Sequence, residues 1–281
     1  ISGSVASGAL IKFNGTDNVV IDGSNNGTSS RDLTFSNTNA TSPAVIWLAS
    51  AGVGAGAQNI TIKNCNINTA SNAATSYGIA VAGSTLGTGG ADNDNVTIQN
   101  NNITQVYHGI WANGTASVSA GGLDVLNINN NIIGPVSSGA GNIGFSGINL
   151  NNAVSPSVAS NTVQNIAATV AGASGITMAN TTAPSVTLNT VQNLASTSTG
   201  ATGILTASTV TNAVVTQNTI TGLTATAGGF MGMSIAGASG GSFNVSQNTI
   251  SAINGTVGSS VSVIGIHITA TSPVTLNRNN I

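Results

Sequence analysis

Apolar residues recur along this chain with a period of about 31 residues. Each copy of the motif reads apolar residue, two residues, Asn, one residue and a final Ile or Val, which we take as the anchor. The positions five before and three after the anchor are also apolar, and the position two before it is Asn in seven of the eight copies. The anchors are Ile67, Ile103, Ile133, Val163, Val191, Ile220, Ile250 and Ile281.

A second apolar signal precedes each motif, usually as Gly followed by Ile. Alternation of apolar and other residues follows in several copies, as in Ile79 with Val81 and Ile148 with Leu150. This period of two predicts short strands with one buried face. The pairs are Gly78-Ile79, Gly109-Ile110, Gly147-Ile148, Gly175-Ile176, Gly203-Ile204 and Gly265-Ile266, with Ser234-Ile235 as the expected variant.

Short strands at a fixed period, without a helical pattern, predict an all-β solenoid in which each repeat is one coil of a parallel β-helix. We expect a single domain over residues 1–281, with about nine coils of about 30 residues and a length of about 43 Å. The Asn column should form a ladder at a tight turn, where Asn tolerates left-handed backbone. Its members are Cys65, Asn101, Asn131, Asn161, Asn189, Asn218, Asn248 and Asn279.

Charge is scarce, because charged residues make up 4% of the 281 residues and none lies between Val125 and Asn277. Phosphate recognition requires Lys and Arg, so nucleic acid is not an expected partner. Acid–base catalysis would be confined to the first 124 residues. No apolar run is long enough for a membrane span, and the single cysteine excludes an internal disulfide.

The segments Phe13–Gly15 and Asn18–Gly27, together with the repeat, resemble right-handed parallel β-helix (pectin-lyase-like) repeat proteins. They are most similar to β-helix segments of large secreted surface proteins of Bacteroidetes-type bacteria. The resemblance covers essentially the whole chain and implies a right-handed solenoid that is secreted or held at the cell surface. It implies no substrate, because this fold hosts lyases, hydrolases, adhesins and inert stalks.

Three adjacent early coils carry insertions at one place, over residues 49–58, 82–94 and 113–124, and we expect these loops to cluster on one side. Asp92, Asp94 and Asp124 lie in them. Asp94 and Asp124 both precede their anchors by nine residues, so their carboxylates should stack about 5 Å apart. They form a candidate Ca²⁺ site. The alternatives are solvated loop ends or a catalytic pair, and no other cofactor is expected.

Aromatic residues gather near the same coils. Trp47 and Trp111 each follow an inward Ile, so both should point outward, and Tyr77, Tyr107 and His108 lie just upstream of these strands. Together they could bind a glycan, since aromatic faces suit sugar rings. Alternatively, the inserted loops cover the rings and bury them.

These features predict a non-catalytic spacer or adhesin module, with a carbohydrate-binding module as the alternative and a polysaccharide lyase or hydrolase as the second alternative. Lys63 and the three loop Asp residues are the only catalytic candidates, and they match no catalytic motif. Ice binding is not expected, because the outward Thr residues show no fixed column in the sequence. The solenoid ends should contact flanking modules of the same chain or other subunits.

Overall fold

The computed structural model describes residues 1–41, 43–72, 75–198, 200–207, 209–225, 228–255 and 262–281. Within these ranges the chain forms 28 β-strands and no helix. The described part of the chain therefore offers no helical segment that could cross a membrane. The strands assemble into three parallel sheets, which we name A, B and C, and the chain visits B, C and A in turn.

Each sheet contains one strand from every coil. Sheet A contains β1 (Ser2–Gly3), β4 (Leu33–Asn37), β7 (Cys65–Thr69), β10 (Asn102–Thr104), β14 (Ile132–Ile133), β17 (Thr162–Ala168), β20 (Thr190–Ser196), β23 (Thr219–Ala225) and β26 (Thr249–Gly255). Sheet B contains β2 (Ala9–Asn14), β5 (Ala44–Ala49), β8 (Tyr77–Ala82), β11 (His108–Asn113), β15 (Ser146–Val154), β18 (Ser174–Thr182), β21 (Ala201–Thr206), β24 (Phe230–Ile235) and β27 (Val263–Ile268), with β12 (Leu123–Asp124) paired beside β15. Sheet C contains β3 (Val20–Asp22), β6 (Thr61–Lys63), β9 (Thr97–Gln99), β13 (Asn127–Asn129), β16 (Ser157–Ala159), β19 (Ser185–Thr187), β22 (Val214–Thr216), β25 (Phe243–Ser246) and β28 (Val274–Asn277).

The register of the sheets confirms the predicted nine-coil solenoid. In sheet A the anchors pair in sequence, for example Ile103 with Ile133 and Val163 with Val191. The apolar residues five positions earlier pair in the same way in sheet C, and the Gly–Ile positions pair in sheet B. These side chains are buried and form one continuous aliphatic core along the stack.

The ladder is confirmed, but its members do not adopt the left-handed backbone. That conformation belongs to the residue just before each ladder position, with φ between 52° and 60° at Asn64, Asn100, Asn130, Ser160, Leu188, Gln217, Gln247 and Arg278. The ladder side chains point inward instead, and the six ladder Asn residues from Asn101 to Asn248 are all buried. The corner therefore needs one residue that turns and one that supplies hydrogen bonds, and these are different residues.

Glycine precedes the inward Ile of sheet B because the opposite sheet leaves no space for a Cβ. An ideal Cβ on Gly147 would lie 2.3 Å from Cγ1 of Val163, the anchor of the same coil. The same column identifies an error in the sequence reading: Met233 pairs with Ile204 and Ile266, so Gly232-Met233 occupies the place assigned to Ser234-Ile235.

Two other expectations from the sequence are corrected. Val136, three residues after its anchor, is 86% exposed, and Ile143 bridges to Ile166 in its place because the intervening segment loops out. The outward Thr residues do form a fixed column over part of the stack. Thr162, Thr190, Thr219 and Thr249 are paired in register in sheet A.

Candidate functional site

The three inserted loops stack on one side of the solenoid, as the sequence predicted. Ser50 Oγ donates to the carbonyl of Ala91 at 2.6 Å, which joins the first loop to the second. The backbone N–H of Gly90 donates to the carbonyl of Asn113 at 2.8 Å, which joins the second loop to the third coil. The loops thus form one layer that covers the neighbouring face of sheet B.

Asp92 lies at the centre of this layer and connects all three loops. Its Oδ2 accepts a hydrogen bond from the N–H of Gly54 at 2.6 Å, and its Oδ1 accepts one from the N–H of Gly121 at 2.8 Å. Hydrogen bonds from N–H groups to a carboxylate are stronger than those between neutral groups. Asp92 therefore acts as a structural clamp between loops.

Asp94 and Asp124 occupy neighbouring coils, as predicted, but a backbone contact joins them. Asp94 Oδ1 accepts the N–H of Asp124 at 2.9 Å. Burial, and then the nearby carboxylates of Asp124 and Asp92, raise the pKa of Asp94. Asp124 Oδ1 is buried and has no hydrogen-bond partner in the described part of the chain.

These carboxylates give the calcium hypothesis little geometric support. The described residues contain no group of three His, Cys, Asp or Glu side chains arranged to hold a metal ion. Asp92 and Asp94 already accept backbone N–H groups. The Ca²⁺ site stays a prediction from the sequence.

Asp94→Asn is expected to stabilise the chain at neutral pH, because it retains the Oδ1 acceptor and removes a partly buried charge beside two others. A carboxyl whose folded pKa is raised stabilises the fold most at low pH, and this contribution is lost as pH rises through that pKa. The melting temperatures should therefore differ at pH 7 and converge near pH 3. If calcium occupies the site, added CaCl₂ would stabilise the wild type and the variant would be less stable than wild type at pH 7.

Trp47 lies under the loop layer. Only 5% of its surface is exposed, and it packs in a small cluster with Tyr77, Leu86 and Trp111. Lys12 Nζ lies 3.8 Å from the centre of the indole ring of Trp47 and covers one face of that ring in a cation–π contact. Trp47 is directed outward from its strand, but a ligand cannot reach it while the loop stays in place.

The other predicted aromatic residues form a continuous group. The rings of Tyr77 and His108 stack with centroids 5.2 Å apart, and Tyr107 stacks on Phe145 at 5.2 Å. Trp111, Tyr107 and Phe145 are only partly buried. Phe145 was missed from the sequence, although it precedes Ser146-Gly147 as Tyr107 precedes His108-Gly109, so alignment on the glycine column would have found it.

His108 is a buried structural ring. Its Nδ1 lies 2.7 Å from Ser146 Oγ, and burial lowers its pKa from 6.5 to about 4. The ring is therefore neutral at physiological pH and packs as a stacking partner for Tyr77.

His108→Phe is expected to reduce the loss of stability in acid. The folded pKa of His108 is lower than its unfolded pKa, so between about pH 6.5 and pH 4 the unfolded chain takes up a proton that the folded chain does not. The free energy of unfolding of the wild type should therefore be full above pH 6.5 and fall by about 3 kcal/mol towards pH 4. Urea unfolding at pH 7.5 and pH 4 measures this difference for both proteins. The same substitution at His267 is the control, and an equal acid loss in wild type and H108F would contradict the assignment.

Lys63 and Cys65 are not free for chemistry. Lys63 Nζ forms an ion pair with Asp22 Oδ2 at 3.0 Å. Hydrogen bonds from Asn64, Ser24 and Lys63 lower the pKa of Asp22 to about 2. Burial raises the pKa of the Cys65 thiol to about 11, so the thiol is protonated at neutral pH.

No protein-family model and no curated protein sequence matches the chain. Among solved structures, the chain is similar to two structures of PfbA, a surface adhesin of Streptococcus pneumoniae. The first is 13% identical with a TM-score of 0.43, over 95% of this chain and 71% of that one. The second is 10% identical with a TM-score of 0.31, over 90% and 79%. These similarities are too low to transfer a function, which must therefore be inferred from the residues of this chain.

Proposed function

We propose that this chain is a non-catalytic spacer or adhesin module of a secreted or cell-surface bacterial protein. The observation that carries the proposal is the unbroken ladder from Cys65 to Asn279, which links eight successive coils through buried hydrogen bonds. Such a stack gives a stiff element whose length depends on the number of coils.

The end coils support a role as one segment of a longer assembly. Inward residues that are fully buried in middle coils are partly exposed at both ends, among them Ile11, Phe13 and Ile266. Leu276 is 51% exposed, although its equivalents from Ile62 to Val245 are buried. We propose that flanking modules of the same chain or other subunits cover these surfaces and pair with the outer strands.

A carbohydrate-binding module is the second candidate, and the partial exposure of Trp111, Tyr107 and Phe145 favours it. Trp111 packs at the edge of the Trp47 cluster, and Tyr107 stacks on Phe145, so a sugar could stack against these rings without displacing Trp47. A polysaccharide enzyme has less support, because Lys63 is ion-paired and the loop carboxylates Asp92 and Asp94 accept backbone N–H groups.

A glycan array combined with an assay for released sugar tests these candidates. The spacer proposal predicts that the folded chain neither binds nor cleaves any glycan. Binding that is lost in Trp111→Ala and kept in Leu205→Ala would assign the aromatic group as a lectin surface. Leu205 is a partly exposed residue of the same sheet, three coils further along the stack. Sugar release would overturn the non-catalytic proposal.

A further inference from the structure

Four successive strands of sheet A present one row of threonines to solvent. Thr162, Thr190, Thr219 and Thr249 pair in register, while the next residue in each strand is a buried anchor. Neighbouring strands lie about 4.8 Å apart, so the hydroxyl and methyl groups repeat at that spacing. The β-branch restricts χ1, which favours the same orientation in every coil.

A second hydroxyl row lies across the tight corner, three residues earlier in each coil. Thr187, Thr216 and Ser246 pair in register in sheet C and are also partly exposed. The three coils that contain Thr187, Thr216 and Ser246 thus repeat a hydroxyl residue, two residues and Thr. The two rows run parallel to each other, one in each sheet, on either side of the corner.

The hydroxyls of both rows have no hydrogen-bond partner within the described part of the protein. Neighbouring polar side chains of sheet A, by contrast, bond to each other between coils. Gln192 Nε2 donates to Gln164 Oε1 at 2.8 Å, and Ser251 Oγ donates to Thr221 Oγ1 at 3.2 Å. A hydroxyl both donates and accepts hydrogen bonds. The rows therefore offer an ordered set of unused donors and acceptors.

The rest of this face consists of uncharged residues, and many of its exposed groups are methyls. Further along the same strands, Ala167, Ala195 and Thr224 are exposed and border a shallow apolar depression of about 270 Å³. No formal charge occurs between Val125 and Asn277. The surface cannot attract a charged ligand, and it combines methyl groups with regularly spaced hydroxyls.

These properties fit an extended, repeating partner made of hydroxyl groups better than a small ligand. Small-molecule sites are concave, whereas this surface is the outer side of parallel sheets. A polysaccharide surface usually meets aromatic rings. However, the aromatic residues between Ser157 and Gly255 are Phe230 and Phe243, and both are buried. Crystalline water has the required chemistry, since its surface is a periodic array of O–H donors and oxygen acceptors.

We propose that the Thr162–Thr249 row, with Thr187, Thr216 and Ser246, forms an ice-binding surface. The methyl groups and hydroxyls hold water in a repeating arrangement at about 4.8 Å from strand to strand, so that the ordered layer can join an ice crystal. This surface is independent of the aromatic group and of the loop layer.

Ice-affinity partition and thermal hysteresis test the proposal on the purified chain. Wild type is expected to concentrate in growing ice, and Thr190→Tyr/Thr219→Tyr should reduce the ice-bound fraction at least tenfold. The matched variant Thr61→Tyr/Thr97→Tyr alters an in-register outward pair of sheet C in the early coils and should bind like wild type. Circular dichroism and melting temperature verify that all three proteins are folded.

Two results would overturn the assignment. A folded wild type that is excluded from ice and shows no hysteresis would leave the row without this role. Binding to crystalline cellulose or chitin that is lost in T190Y/T219Y, without ice binding, would assign the surface to a polysaccharide instead.

Discussion

Asn161→Ala is expected to lower the free energy of unfolding by about 4 kcal/mol. Asn161 Nδ2 donates to the carbonyl of Ile128 at 2.9 Å and to Asn189 Oδ1 at 3.0 Å. Its Oδ1 accepts the backbone N–H and the Nδ2 of Asn131, each at 3.0 Å. Alanine would leave the N–H of Asn131 buried without a partner, which costs about 1–3 kcal/mol, and would remove the hydrogen bonds to Ile128 and Asn189, which contribute about 1 kcal/mol each.

Asn244→Ala is the matched control, because Asn244 is an exposed strand residue whose side chain makes no hydrogen bond with the described part of the chain. Urea unfolding should change by no more than about 0.5 kcal/mol for this variant. Equal losses for the two substitutions would show that the ladder does not contribute as the structure indicates.

Gly175→Ala is expected to destabilise the chain by about 3 kcal/mol. An ideal Cβ at this position would lie 2.5 Å from the carbonyl oxygen of Gly203 and 2.5 Å from Cγ1 of Val191. Neither neighbour can move easily, since one is backbone of the next coil and the other a buried anchor. Thermal or urea unfolding measures the effect.

Gly139→Ala controls for the loss of glycine itself. A Cβ at Gly139 would meet no atom within 4 Å, and its φ lies outside the left-handed region. This variant should be neutral or more stable by up to about 1 kcal/mol, through reduced freedom of the unfolded chain. If Gly175→Ala were also neutral, the two sheets would have to lie further apart than the structure shows.

Much of the fold could be predicted because each coil repeats the previous one. In a stack, the neighbour of Ile133 is its equivalent in the adjacent copies, Ile103 and Val163, so a column in the sequence becomes a column in space. The ladder residues and the three loop positions were identified in this way. Gly232 was missed because the pattern was aligned on Ile, although the physical constraint acts on the glycine.

The candidate site was less predictable because it lies in the inserted segments, which have no period. The outward direction of Trp47 could be derived from its strand, but the sequence does not indicate that Leu86 packs near it. Similarly, the spacing placed Asp94 beside Asp124, but the contacts of Asp92 with Gly54 and Gly121 depend on how the loops fold over each other. The Thr row directly precedes the anchors Val163, Val191, Ile220 and Ile250, so the same alignment contains it; it was missed because the earlier copies have Asn or Ile at this position.

The central claim is that nine coils stack in register as one rigid unit, and distances between spin labels test it most directly. Thr61 in sheet C is paired through successive coils with Ser185, Asn244 and Thr275, which lie four, six and seven coils away. Double cysteine variants that join Thr61 to each of them can be labelled, since the thiol of Cys65 is buried. Pulsed electron resonance should give narrow distributions near about 19, 29 and 34 Å, on a line of about 4.8 Å per coil. Broad distributions, or distances that do not increase linearly with coil number, would contradict the stacked solenoid.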